Sequence, residues 1–251
     1  IGCGTGELLK YIKASGAEEY GITICKEQYY ECKAKNLNVD LVNLFDMGEE
    51  YYGKFDSIIC SGVIEHLPNV TNRNRVGSFY CELFTLFSKL LNPSSDLRKV
   101  VITCIHFREC SKLNSIGDKI NLYLLERANG GWYPENKDFL IGSCNTNFEL
   151  ELRRDLTKDY YITTYHWAIK CLKKCWGKWL ILFLNGIVHT LNNPYYLHML
   201  IEKGYCWAWQ FSDKNYSVWW DIFTGGLKKD LEITCSPTIH QLLVFKLKTD
   251  D

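Results

Sequence analysis

Along the first 110 residues the spacing of apolar positions alternates between two periods. In ELLKYIKAS, Leu8, Leu9 and Ile12 recur at helical spacing, and Gly16 follows where a glycine commonly ends a helix. EYGITI is short and rich in strand formers, whereas CKEQYYECKAKNL reads as a second helix. VDLVNL and the Ile-rich FDSIICS read as strands. SFYCELFTLFSKLLNP is a strongly amphipathic helix stopped by Pro93, and KVVITCIHF is a buried strand. Strands alternating with helices predict an α/β fold: a mostly parallel sheet, wound by right-handed crossovers, with helices on both faces. Ligands of such sheets sit at the carboxyl ends of the strands. The opening loop IGCGTG, the end of ITI and the end of IICS would meet there.

From residue 111 the pattern becomes irregular and aromatic. GGWYPENKDF is loop-like, DYYITTYHWAIKCLKKCWGKW is helical and basic, and TIHQLLVFKLK is a clear last strand. The chain therefore reads as one domain over 1–251. Its parts are a cofactor-binding core over 1–110, a lid or substrate region over 111–235 and a closing strand over 236–248.

Composition narrows the class. The chain has 251 residues, and Lys+Arg and Asp+Glu both number 29. That balance argues against a protein that holds nucleic acid mainly through phosphate contacts. The 12 cysteines are scattered with no CxxC pair, which excludes the usual structural zinc spacings and suits a reduced, cytoplasmic protein. Asn69 and Asn215 head glycosylation triplets, which matter only in a secreted chain. No secretory signal is visible, and the longest apolar run, Trp179 to Leu184, is too short to span a bilayer.

Gly2, Gly4 and Gly6 suit a backbone that turns sharply and approaches a ligand closely. A Walker loop needs Gly-Lys-Ser/Thr, which is absent, and the dinucleotide fingerprint needs a wider G-x-G-x-x-G spacing. The tighter G-x-G-x-G fits close approach to an amino-acid moiety; taken alone it fits a plain tight turn as well. Such a loop is normally preceded by a central strand, and here only Ile1 stands before it. The chain is therefore expected to be a fragment whose first strand lies upstream.

Beyond the glycines, IGCGTGELLKYIKASGAEEYGITICKEQ resembles the opening of class I S-adenosylmethionine-dependent methyltransferases. More narrowly it resembles the cyclopropane-fatty-acid synthase and mycolic acid methyltransferase family. There a Gly-Cys-Gly loop is followed by a strand ending Gly-Ile-Thr-x-Ser-x-x-Gln, and Cys25 stands here in place of the serine. LVNLFD resembles the strand end that borders the adenine. FDSIICSGVIEHLPN resembles the family's fourth motif, in which Glu65-His66 is the most specific short signal. GGWYPENKDF, with Tyr133-Pro134, resembles its Phe-Pro-Gly loop. DYYITTYHW resembles a Tyr-x-x-Thr-Leu-x-x-Trp helix and places Tyr161, Thr164 and Trp167. HQLLVFK resembles the closing strand.

The resemblance implies a Rossmann-like methyltransferase fold with a helical lid and S-adenosylmethionine as cofactor. It implies cofactor contacts at Gly2, Cys3, Gly4, Gly6, Thr23, Gln28, Leu44, Phe45 and Ser61, with Thr23 and Gln28 beside the ribose. It further implies methyl transfer to an alkene carbon of a lipid acyl chain, after which a proton must leave for the ring to close. A bicarbonate ion serves as base in that family, held by a glutamate, a histidine, a tyrosine and an N-terminal cysteine. Glu65 matches the glutamate and Tyr161 the tyrosine. The histidine aligns with Cys104, two residues before His106, and strand alternation keeps both on one face. The matching cysteine would lie upstream of residue 1.

The stretch after Trp167 is longer than the family pattern by some tens of residues. This leaves open an N- or C-methyltransferase acting on a small molecule of phosphoethanolamine, sterol or amine type. A degenerate cofactor-binding module is a third reading. Within the added stretch, Lys170, Lys173, Lys174 and Lys178 precede an aliphatic block and Trp176 and Trp179 lie among them. It reads as an interfacial anchor for peripheral membrane contact, and equally as a buried lid helix whose lysines face water.

Overall fold

The computed structural model describes residues 1–67, 76–107, 146–160 and 238–248, with positions 139, 142–143, 162–163, 166, 184, 187–188 and 191–192. Within that range the alternation of periods becomes an alternation of elements: α1 (Glu7–Ala14), β1 (Gly21–Thr23), α2 (Lys26–Ala34), β2 (Val39–Leu41), β3 (Ser57–Ser61), α3 (Val76–Leu90) and β4 (Lys99–Phe107). Then come β5 (Phe148–Asp155) and β6 (Thr238–Leu247). The Rossmann-like α/β reading holds.

β1 and β2 pair in parallel, with Ile22 opposite Asp40. β3 and β4 also pair in parallel, with Cys60 opposite Ile102, inside a sheet ordered β3-β4-β6-β5. β6 runs antiparallel to both its neighbours. The Leu247 N–H reaches the Arg98 carbonyl just before β4, and the Lys248 N–H reaches the Asn147 carbonyl just before β5. Residues 1–3 run between the two sheets: the Ile1 main-chain nitrogen donates to the Ile59 carbonyl, and the Cys3 N–H donates to the Ile22 carbonyl.

The chain divides into two compact units. One comprises Ile1–Cys104, Lys137–Arg153 and Leu242–Asp251; the other comprises Ile105–Asn136 and Arg154–Gln241. The core of the first is aromatic. Its α3 buries Tyr80, Leu83, Phe84, Phe87 and Leu90 among Ile58 and Cys60 of β3, Val100, Ile102 and Cys104 of β4, and Phe245 of β6. The Phe84 ring meets those of Phe87, Phe148 and Phe245 edge-on, the last at 4.9 Å between centroids. A smaller cluster of Leu9, Cys32, Leu37 and Val39 packs α1 and α2 onto β2. In the second unit, Tyr160 stacks on His240 at 4.4 Å, and the Leu156 N–H bonds the His240 carbonyl.

Two elements depart from the sequence reading. The strand expected over VDLVNL stops at Leu41. The Asn43 side chain accepts the Phe45 N–H at 3.0 Å and folds Leu44–Asp46 into a 3₁₀ turn. β5 was not anticipated at all. Phe148 is its single buried residue, while Leu150 and Leu152 face solvent, so the strand lacks the half-buried alternation that marks most strands. The loop reading of GGWYPENKDF falls on positions outside the described residues apart from Phe139; of the helix read in DYYITTYHWAIKCLKKCWGKW, Asp159, Tyr160, Ile162, Thr163 and His166 are described and helical, and the rest lies outside the described residues.

Candidate active site

Gly2, Gly4 and Gly6 all adopt left-handed backbone, with φ of 62°, 55° and 82°. Any other residue would be strained there. Their surroundings differ in an informative way. A Cβ at Gly2 would stand 2.5 Å from Val63 Cγ2, and one at Gly6 would stand 2.4 Å from Leu37 Cδ1. A Cβ at Gly4 would meet nothing within 4 Å. The loop is thus wedged at its two ends and open at its middle.

Three groups brace it from behind. The Gly6 N–H closes a turn onto the Cys3 carbonyl, the Cys32 thiol donates to the Gly4 carbonyl, and Lys35 Nζ donates to the Thr5 carbonyl at 2.7 Å. Cys3 lies beside Cys32, and burial first, then that neighbour, pushes its thiol up to about 11, so it is protonated. Glu7 occupies the first turn of α1. A carboxylate at that positive helix end disfavours a pyrophosphate there, in keeping with the G-x-G-x-G spacing.

The neighbouring strand ends complete the rim. At the end of β1 the buried Thr23 hydroxyl donates to Gln28 Oε1 at 2.9 Å, and its oxygen accepts the Cys25 N–H. This fixes a half-buried glutamine in the first turn of α2. Past β2, Leu44 is buried while Phe45 stays partly exposed, its ring 5.7 Å from Phe79. Ser61 ends β3 on the face opposite Cys60, hydroxyl to hydroxyl with Thr103 at 2.7 Å.

Glu65 lies in the 3₁₀ turn Ile64–His66 just past β3 and is only 4% exposed, whereas His66 is exposed. The buried thiols of Cys60 and Cys104 both respond to its carboxylate. Burial chiefly, with Glu65 a lesser contributor, pushes Cys60 up to about 11, and burial, then Glu65 and Cys60, hold Cys104 well above its usual range. What borders Glu65 is therefore a pair of S–H groups rather than a thiolate.

Of the residues singled out from the sequence, Gly2, Cys3, Gly4, Gly6, Thr23, Gln28, Leu44, Phe45 and Ser61 all fall on the glycine loop or at the adjoining strand ends. Glu65 and Cys104 are both buried, and the Glu65 charge is felt at the Cys104 thiol. His106 lies on β4, but its side chain is outside the described residues, as are Tyr161, Thr164, Trp167, Tyr133 and Pro134. Three residues were missed. Asn43 could have been found as an Asx turn two residues before Phe45. Val63 against Gly2 carries no local signal, because it is a contact between segments far apart in sequence, and Cys60 reads only as one more apolar position of a buried strand.

The family profile of mycolic acid cyclopropane synthetase matches residues 1–192. A search of curated protein sequences gives no match. Among solved structures, the cyclopropane synthase MmaA2 of Mycobacterium tuberculosis superposes with a TM-score of 0.61 at 16% identity, covering 98% of this chain and 75% of that one. The mycolic acid cyclopropane synthase CmaA1, complexed with SAH and CTAB, gives 0.60 at 15%, again over 98% and 75%. Geranyl diphosphate C-methyltransferase of Streptomyces coelicolor, solved with Mg2+, geranyl diphosphate and S-adenosyl-L-homocysteine, gives 0.58 at 9%, over 98% and 72%. At these identities the superpositions speak for the fold, whereas the profile match spans most of the sequence. The chain belongs to the mycolic acid cyclopropane synthetase family of S-adenosylmethionine-dependent methyltransferases.

Proposed function

We propose that the protein transfers a methylene unit from S-adenosylmethionine to an unsaturated acyl chain of a lipid. The observation that carries this reading is the buried Glu65, one short turn past β3, on a segment that touches the glycine loop through Val63.

The residues present suit the cofactor. The open face at Gly4 admits close approach, Gln28 is held by Thr23 as a hydrogen-bonding group for hydroxyls, and Leu44 and Phe45 offer an apolar border for a base. When bound, S-adenosylmethionine supplies an activated methyl electrophile. The protein's task is then to align that methyl with the acceptor and to exclude water.

As the alkene carbon forms its new bond and the sulfur–methyl bond breaks, positive charge develops on the acyl chain. A buried carboxylate stabilises that charge far more strongly than a solvated one. Ring closure then requires loss of one proton from the transferred carbon. We assign Glu65, His106 and Tyr161 to holding the base that takes it. Bicarbonate suits this donor set, since its O–H can be accepted by a carboxylate while its oxygens accept from tyrosine and histidine. Cys104, as an S–H, forms part of the wall beside Glu65. The lid reading of residues 111–235 belongs to the same proposal.

The test is product analysis. The protein is incubated with S-adenosylmethionine and phospholipid bearing unsaturated chains, and the fatty acyl products are examined by mass spectrometry. An acyl chain heavier by one CH2, with its double bond lost, supports the proposal; unaltered chains oppose it.

A second reading, methylation of a small molecule at nitrogen or carbon, is favoured by the likeness to a geranyl diphosphate C-methyltransferase. It requires a nucleophile that loses one proton on methylation, without ring closure. A methylated soluble acceptor with acyl chains untouched would favour it.

A further inference from the structure

Leu184, Ile187, Val188 and Leu191 are helical, with exposures of 52%, 37%, 55% and 78%. Spacing of i, i+3, i+4 and i+7 puts the four on one helical face. Single exposed aliphatic residues are ordinary; four on one stripe mark a surface that meets something apolar.

The surrounding sequence indicates what that is. From Tyr160 to Ile201 there is no aspartate or glutamate, although acidic and basic residues are equal in number over the whole chain. Lys170, Lys173, Lys174 and Lys178 lie in the same stretch, with Trp176 and Trp179 among them. Aliphatic side chains favour the acyl boundary, tryptophans favour the interface and lysines favour anionic headgroups.

We infer that this face docks on an anionic lipid surface, with Leu184, Ile187, Val188 and Leu191 entering the acyl boundary, in a stretch of sequence whose charged residues are all basic. The inference deepens the acyl-chain reading and rests on it, because an enzyme acting on acyl chains must reach them in a bilayer. A proline-free apolar groove on another protein would accept the aliphatic stripe, but would give no reason for the missing carboxylates.

The test is co-sedimentation of the full chain with phosphatidylglycerol vesicles, with phosphatidylcholine vesicles as comparison, and without cofactor. Binding to phosphatidylglycerol should be at least about tenfold stronger. It should weaken as salt rises from about 0.1 M to about 1 M, where the screening length falls from about 10 Å to about 3 Å. Tryptophan fluorescence, which eight residues contribute, should shift to the blue on adding phosphatidylglycerol vesicles. Leu184→Gln with Leu191→Gln should weaken binding roughly tenfold while leaving the circular dichroism unchanged, since both positions are exposed.

Protein that stays in the supernatant with phosphatidylglycerol at low salt overturns the inference. So does undiminished binding by the double variant. Light scattering that shows a dimer dissociated by the same double change would assign the face to a second copy and also overturn it. The two readings fail separately. A chain that binds vesicles but leaves acyl chains unmodified removes the acyl proposal alone, and one that modifies detergent-dispersed lipid without binding vesicles removes the docking alone.

Discussion

The Thr23 hydroxyl donates to Gln28 Oε1 at 2.9 Å while its oxygen accepts the Cys25 N–H at 3.2 Å. One buried hydroxyl thereby ties the end of β1 to the first turn of α2. Thr23→Val keeps the shape and removes both bonds, each worth about 1 kcal/mol. S-adenosylmethionine affinity, read by calorimetry, should fall about tenfold. The melting temperature should drop by a few degrees. Unchanged affinity would mean that Gln28 does not contact the cofactor.

Gly2→Ala and Gly4→Ala should fail in different ways. Both place a Cβ on left-handed backbone, which costs about 1–2 kcal/mol. At Gly2 the new methyl also collides with Val63, so the melting temperature should fall clearly further. At Gly4 the methyl enters open space in front of the loop. That variant should fold with only a small loss of stability, yet bind the cofactor at least about tenfold more weakly. Thermal melts paired with calorimetry separate the two outcomes.

Glu65→Gln should lower turnover by roughly a hundredfold or more while cofactor affinity stays within a few-fold, if the carboxylate serves the transition state rather than cofactor binding. Comparable loss of both would make it a cofactor contact. The change also removes a negative charge beside Cys60 and Cys104, so both thiols should ionise at lower pH than in the parent. Thiolate ultraviolet absorbance during alkaline titration reports this independently of activity.

Cys60 predicts an alkaline weakness. Its thiol, ordinarily 9.0, is pushed up to about 11 in the folded protein, chiefly by burial. Between those values the unfolded chain binds fewer protons than the folded one, so stability is full below about pH 9 and falls as pH rises. For a fully buried group that interval corresponds to about 3 kcal/mol. Cys104 and Tyr20, both raised first by burial, act in the same direction. Cys60→Ala should therefore flatten, without abolishing, the decline in denaturant midpoint between pH 9 and 11. An unchanged slope would show that Cys60 ionises equally in both states.

Much of the fold was legible because the informative residues act locally. The period shift from Leu8, Leu9 and Ile12 to GIT, the glycine alternation and the proline after α3 all report the conformation of their own segment. Asn43 overrode a strand reading with a single side-chain hydrogen bond, which a period count does not weigh. β5 escaped because a strand exposed on both faces leaves no burial pattern to read. The site divides along the same line. Thr23 and Gln28 lie five residues apart, so their relationship shows in a motif. The Glu65, Cys60 and Cys104 cluster exists only once β3 and β4 pair in register, with Cys60 opposite Ile102.

The wedge between Gly2 and Val63 bears on how such a sequence can change. A methyl at position 2 has no room while Val63 keeps its branched side chain, and the left-handed backbone at Gly2 disfavours nearly every alternative. Substitution at 63 must come first, and to a smaller residue, before any at 2 is tolerated. The pair therefore behaves as one epistatic unit. It couples drift in the loop that meets the cofactor to drift in the segment that carries Glu65, so the loop cannot diverge at position 2 until that segment has changed.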